Sequence, residues 1–123
     1  MKLNPNETTC LPMLLSVIAD YHDECVAQAE ESEDMENLMH HTERATWNRI
    51  IGEHAEYHKS VPTHALSNLN DELNDHKERV LEVLDPAQIE ELELDTADVK
   101  ELTTTVVFCR LMAGRCSENM LAN

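Results

Sequence analysis

Apolar residues recur along this chain at steps of three and four. Leu11, Leu15, Ile18, Cys25 and Ala29 form such a row, with His22 in step and Leu14 and Val26 beside it. That spacing is the seam of a helix packing on other helices. It predicts a first helix over 12–31, with Pro12 in the first turn, where a missing N–H costs little. A second helix is predicted over 32–59. Ser32 is its expected cap, and Glu33, Asp34 and Glu36 sit where the helix dipole favours negative charge. Its apolar side drifts: Met35, Leu38, Met39, Thr42, Ala45 and Thr46 cluster together, and Trp47, Ile50, Ile51, His54 and His58 lie a quarter-turn away. Such a helix either faces two partners along its length or breaks near Thr46 or Gly52.

Ser60-Val61-Pro62-Thr63 punctuates the chain, because Pro62 disfavours helix at the residue before it. A third helix is expected from Pro62 or Ser67 to Leu84, with Leu66, Leu69, Leu73, Val80, Leu81 and Leu84 as its stripe. Asp85-Pro86 pairs an N-cap with proline at the first helical position and starts a short helix to about Leu92. Asp95 or Thr96 then caps a last helix to about Ser117. Its stripe is Val99, Leu102, Val106, Cys109, Ala113, Cys116 and Met120. The β-branched run Thr103-Thr104-Thr105-Val106-Val107 lowers helix propensity, but the stripe passes through it. Val107, Phe108, Leu111 and Met112 lie off that stripe. The last helix is therefore either central to a bundle or a contact between two copies. The pattern predicts an all-α fold: one domain over 1–123, an antiparallel bundle of four long helices plus one short one.

Composition sharpens this picture. A chain of 123 residues with 41% apolar content can bury a core without staples. Only Gly52 and Gly114 are available as glycines, and neither Asn-Gly nor Asp-Gly occurs, so repeated tight β-hairpins are excluded. No apolar run reaches the length of a membrane span, and residues 1–10 contain no secretory apolar core, so a cytoplasmic protein is expected. Cys10, Cys25, Cys109 and Cys116 have no close pair spacing, and three of them fall on apolar stripes. They are expected to be reduced and buried.

Charge is the strongest signal. Twenty-five acidic and nine basic side chains give a formal net charge of −16. Such a surface repels nucleic-acid phosphates and anionic lipid, so neither is an expected partner. Asp20, Asp23, Glu24, Glu30, Glu31, Glu33, Asp34 and Glu36 fall in one stretch that holds no Lys or Arg. On a helix they supply roughly one negative charge per 3 Å, of the same order as the one per about 1.7 Å along duplex DNA. The expected function is a non-enzymatic module, an inhibitor or adaptor, that binds a protein with a basic surface, such as a nucleic-acid-binding protein, by charge mimicry. The chain is similar to small phage-borne inhibitors in size and charge only. A solvated face that keeps the protein soluble, or adaptation to a salty cytoplasm, accounts for the same composition.

Two further chemistries are weighed. His54 and His58 are one helical turn apart, and His22 lies on an inward stripe, so these three are the alternative metal set. The spacings of ferritin-like Glu-x-x-His and of H-E-x-x-H are absent, so neither metal nor other cofactor is expected. Cys25 has His22 one turn before it, but neither a phosphate loop nor a nucleophile elbow is present, and no enzyme is predicted. Self-association through Val107, Phe108, Leu111 and Met112 is the remaining partner expectation.

Overall fold

A computed structural model of the chain, describing residues 1–122, is built from helices: α1 (Pro5–Glu31), α2 (Met35–His58), a 3-10 turn (Thr63–Ala65), α3 (Leu66–Val83), α4 (Pro86–Glu91) and α5 (Thr96–Leu121). The all-α class with four long helices and one short one is as the periodicity predicts. Contacts divide the chain into two compact units, residues 1–62 and 63–123.

In the first unit α1 and α2 run antiparallel. Asn4 caps α1 by accepting from the Glu7 amide at 2.7 Å while Glu7 accepts from the Asn4 amide at 2.9 Å, and Pro5 takes the first helical position. The helix therefore starts seven residues before the expected Pro12. The reciprocal cap and Pro5 form a start signal as good as Pro12, and Pro12 lies inside the helix. The stripe is as expected: Leu11, Leu15 and Ile18 are fully buried, and His22 and Ala29 nearly so. Opposite them, α2 buries Ala45, Asn48, Gly52 and Ala55. A Cβ on Gly52 would meet the Leu15 Cβ at 3.5 Å and the Pro12 carbonyl oxygen at 3.8 Å, so the helices cross closely there. An isolated antiparallel bridge between Lys2 and Ser60 ties the two ends of this unit, with Leu3 and Val61 buried beside it.

The reversal between α1 and α2 takes three residues. The Asp34 amide donates to the Ala29 carbonyl at 2.9 Å and the Glu33 amide to the Glu30 carbonyl at 3.3 Å. Glu33 stands in the left-handed region with φ 54°. These are the bonds of a Schellman stop, whose left-handed position usually holds glycine. Asp34, not Ser32, caps α2; Ser32 ends α1. The break considered near Thr46 or Gly52 does not occur, and α2 is continuous.

In the second unit α3 packs against α5. Leu66, Leu69, Leu73 and Val80 of α3 face inward with Val106, Cys109, Met112, Ala113 and Cys116 of α5, all buried. Asp85 caps α4, as expected, and Asp95 caps α5 through a reciprocal pair with Asp98. The α4 stop repeats the chemistry of the first turn: Glu93 has φ 53°, and the Leu94 amide donates to the Ile89 carbonyl at 3.0 Å. Thr103, Thr104 and Thr105 are helical, each hydroxyl donating to the carbonyl four residues back at 2.7–3.1 Å. These side-chain bonds and the buried stripe override their low propensity.

Both glycines are helical, and neither has a positive φ. Nothing lies within 4 Å of a Cβ built on Gly114. Gly114→Ala is therefore expected to raise the unfolding free energy by about 1 kcal/mol. Gly52→Ala, at ordinary contact distance from Leu15, is expected to be neutral or stabilising, whereas Gly52→Leu overfills the crossing and costs about 1–3 kcal/mol. Urea midpoints of the three variants against the parent measure all three effects.

Candidate functional site

The acidic stretch spans the second half of α1, the reversal and the first turn of α2. The structure divides its eight carboxylates into two sets. Asp20 and Asp23 lean on Arg49 of α2, whose guanidinium lies 2.6 Å from Asp23 and 3.2 Å from Asp20. The Asp23 hydrogen bond above all, with the charges of both carboxylates, outweighs desolvation and holds Arg49 more firmly in its cationic form. These two carboxylates tie α1 to α2. Glu24, Glu30, Glu31, Glu33 and Glu36 are exposed and have no ion pair among the described residues. Asp34 is half-buried, its carboxylate accepting from the Asn37 amide at 3.2 Å and side chain at 2.7 Å.

Several of these positions cost stability. Glu30 and Glu31 occupy the last turn of α1, which contains no basic residue, and carboxylates are disfavoured at the negative end of the helix dipole. Glu33 adopts a left-handed conformation that costs a non-glycine residue about 1 kcal/mol or more. Glu36, in the first turn of α2, is favoured. The turn thus concentrates charge where folding alone would place Lys or Gly.

Beside it runs a face that the sequence left merged with the packing face. Residues 41, 45, 48, 52 and 55 point towards α1. Met35, Met39, Thr42, Thr46 and Ile50 follow their own steps of four, three, four and four on the far side of α2. Met35 is 65% exposed, Met39 69% and Ile50 58%. Leu38, Met39, Thr42, Glu43, Thr46, Trp47 and Ile50 line an open groove of about 580 Å³ there. The apparent drift of α2 is two stripes, one packed and one exposed. Separating the two series by their offsets would have shown this from the sequence.

The histidines are arranged differently from the metal set considered. His22 is buried and its Nδ1 lies 2.9 Å from Nδ1 of His41 on α2, with Tyr21 edge-on to both rings. His54 and His58 stack at 4.4 Å between ring centroids, about 20 Å further along α2 from His41 at 1.5 Å per residue. The structure therefore does not bring His22 to His54 and His58. Among the described residues no three His, Cys, Asp or Glu side chains converge as a metal site. Cys25 and Cys10 are half-buried, Cys109 and Cys116 fully buried, and none of the four is in a disulfide. Burial pushes the Cys109 thiol up to about 11, against the opposing pull of Lys77 and Arg79. Such a thiol is protonated and unreactive. Of the four residues considered for self-association, Met112 is buried and Phe108 half-buried; Val107 is 50% exposed and Leu111 65%.

Sequence reading missed the polar groups of α3. Glu72 and His76 are buried on the same face as Leu69 and Leu73. His76 Nδ1 has no hydrogen-bond partner among the described residues. Burial, reinforced by the Arg79 guanidinium and opposed by Glu72, pushes the His76 imidazole down to about 4 from its ordinary 6.5.

Two measurements follow from these groups. The unfolded chain binds a proton at His76 more readily than the folded one, so the contribution of this residue to stability is full above pH 6.5 and is lost as pH falls towards 4. The unfolding free energy of His76→Leu relative to the parent is expected to improve by roughly 2 kcal/mol over that interval. Maleimide labelling followed by mass spectrometry is expected to modify Cys10 and Cys25 in the native protein, and Cys109 and Cys116 only in denaturant. Among the described residues no helix is long and apolar enough to cross a membrane. Comparison with protein-family models, with curated proteins and with solved structures finds no match.

Proposed function

We propose that this chain is a non-enzymatic binding module whose acidic α1–α2 turn engages a basic surface on another protein. One observation carries the reading: exposed carboxylates crowd a three-residue reversal at positions where they lower stability, Glu30 and Glu31 against the helix dipole and Glu33 in left-handed backbone. Local rules broken without a gain in packing point to function. The density of charge suits a groove that otherwise takes a nucleic-acid backbone, so the partner class is a nucleic-acid-binding protein and the effect is inhibition by occupancy. The set that binds is Glu24, Glu30, Glu31, Glu33, Asp34 and Glu36. Asp20 and Asp23 contribute field rather than contact, because Arg49 already holds them. Association is fast and weakens as salt rises. Four cysteines outside any disulfide suit a cytoplasmic, reducing compartment.

The test uses the immobilised chain and a variant with Glu30, Glu31, Glu33 and Glu36 all replaced by Lys. A basic nucleic-acid-handling protein captured from native lysate at low salt is expected to release at high salt and on addition of duplex DNA. Its affinity for the variant is expected to fall by roughly 4-fold to several hundred-fold, at about 0.2–1 kcal/mol for each of the four lost pairs. The single variants Glu31→Lys and Glu33→Gly are each expected to gain about 0.5–1 kcal/mol of stability, so loss of binding is separable from loss of fold. Equal capture by parent and variant would show that the turn is not the binding surface.

A further inference from the structure

The exposed stripe of α2 identifies what part of a partner the acidic module takes. Met35, Met39, Thr42, Thr46 and Ile50 form one line on the helix, and Trp47 closes the side of the groove. From Met35 to Ile50 the line is about 22 Å long at 1.5 Å per residue. Its spacing of threes and fours is complementary to another helix lying along it. Methionine side chains are flexible and polarisable and adapt to varied apolar surfaces, and Met and Trp are enriched where proteins bind.

The charge around the groove selects the occupant. Glu43 lines it, Glu36 stands at its N-terminal end and Glu53 continues its line towards the C-terminus, all three exposed. The exposed turn with Glu31 and Glu33 lies just before Met35. Of the two arginines of α2, Arg49 is engaged by Asp20 and Asp23, while Arg44 lies over the Trp47 ring at 5.7 Å and 3.8 Å from Glu43, so it offsets that one carboxylate and leaves Glu36 and Glu53. A second copy of this chain would bring another −16 to the contact, which opposes self-association at low salt. An apolar line between carboxylates fits a helix with an apolar stripe flanked by Lys and Arg.

We infer that the α2 groove receives a cationic amphipathic helix of the partner protein, its apolar stripe on Met39, Trp47 and Ile50 and its cations against Glu33, Glu36 and Glu53. This inference rests on the acidic-module reading above and names the element that module recognises.

The full chain is titrated with a designed Leu/Lys peptide of about 18 residues, some 27 Å as a helix, with Leu at i, i+3, i+4 and i+7. Three comparisons are made: the same composition scrambled so that no apolar face forms, a Leu/Gln peptide of the same pattern, and the Met39→Gln/Ile50→Gln variant of the protein. Trp47 is the only tryptophan, and its emission reports occupancy of the groove. The patterned Lys peptide is expected to bind with a blue shift of Trp47. Scrambling, loss of the cations and the double Gln variant are each expected to weaken binding about tenfold or more, the variant retaining its helical circular dichroism. Equal binding of patterned and scrambled peptides, or unchanged affinity of the Gln variant, overturns the groove and leaves the acidic module standing. Binding that is indifferent to salt and equally tight for the Leu/Gln peptide overturns the acidic module and the cationic occupant with it. A peptide-free protein whose mass rises with concentration, and does so less in the Gln variant, assigns the groove to a second copy and overturns the inference.

Discussion

The first unit is organised by the peptide bond between Glu33 and Asp34. The Asp34 amide donates back to the Ala29 carbonyl and closes α1, while its carboxylate accepts from the Asn37 amide and opens α2. One residue ends one helix and starts the next, so α1 and α2 leave the turn antiparallel and in fixed register. That register sets His22 against His41, Asp20 and Asp23 against Arg49, and Leu15 against Gly52. It also leaves the far side of α2 without a partner within the hairpin. The acidic turn and the apolar stripe are neighbours because the same three residues place them there.

Much of this was legible in the sequence. The buried series on α1 is the one its spacing predicts; on α5 the middle of the expected stripe is buried together with Met112, which the spacing put off it, and the Asp85-Pro86 and Asp95 caps act where they stand. What escaped was local. Pro12 competed with Asn4-Pro5 as a start signal, and the reciprocal Asn4–Glu7 cap decided for the earlier one. Ser32 competed with Asp34 for the cap of α2; the Schellman bonds at residues 33 and 34 settle that. Without glycine at its left-handed position, the Schellman stop after α1 does not announce itself, and Glu33 reads as a residue of the second helix's first turn.

The site was legible as charge and not as shape. The eight carboxylates were visible at once, but only pairing in space separates Asp20 and Asp23 from the exposed set. His22 is parted from His54 and His58 by axial distance, which a list of spacings within one helix does not contain. The α2 stripe was hidden because two series of apolar residues overlap in one helix and blur into a single drifting face. Glu72 and His76 were hidden for the opposite reason: charged types at seam positions are discounted, yet both are buried on α3.

The contact between His22 and His41 has a consequence of its own. Two Nδ1 atoms 2.9 Å apart hold one hydrogen between them. With both rings neutral they are opposite tautomers: the ring that donates at Nδ1 is bare at Nε2, and its neighbour carries its hydrogen there. The pair is therefore unsymmetrical although the residues are chemically identical. Exchanging the roles of the two neutral rings requires one proton to cross between the helices at Nδ1 and another to be returned at Nε2.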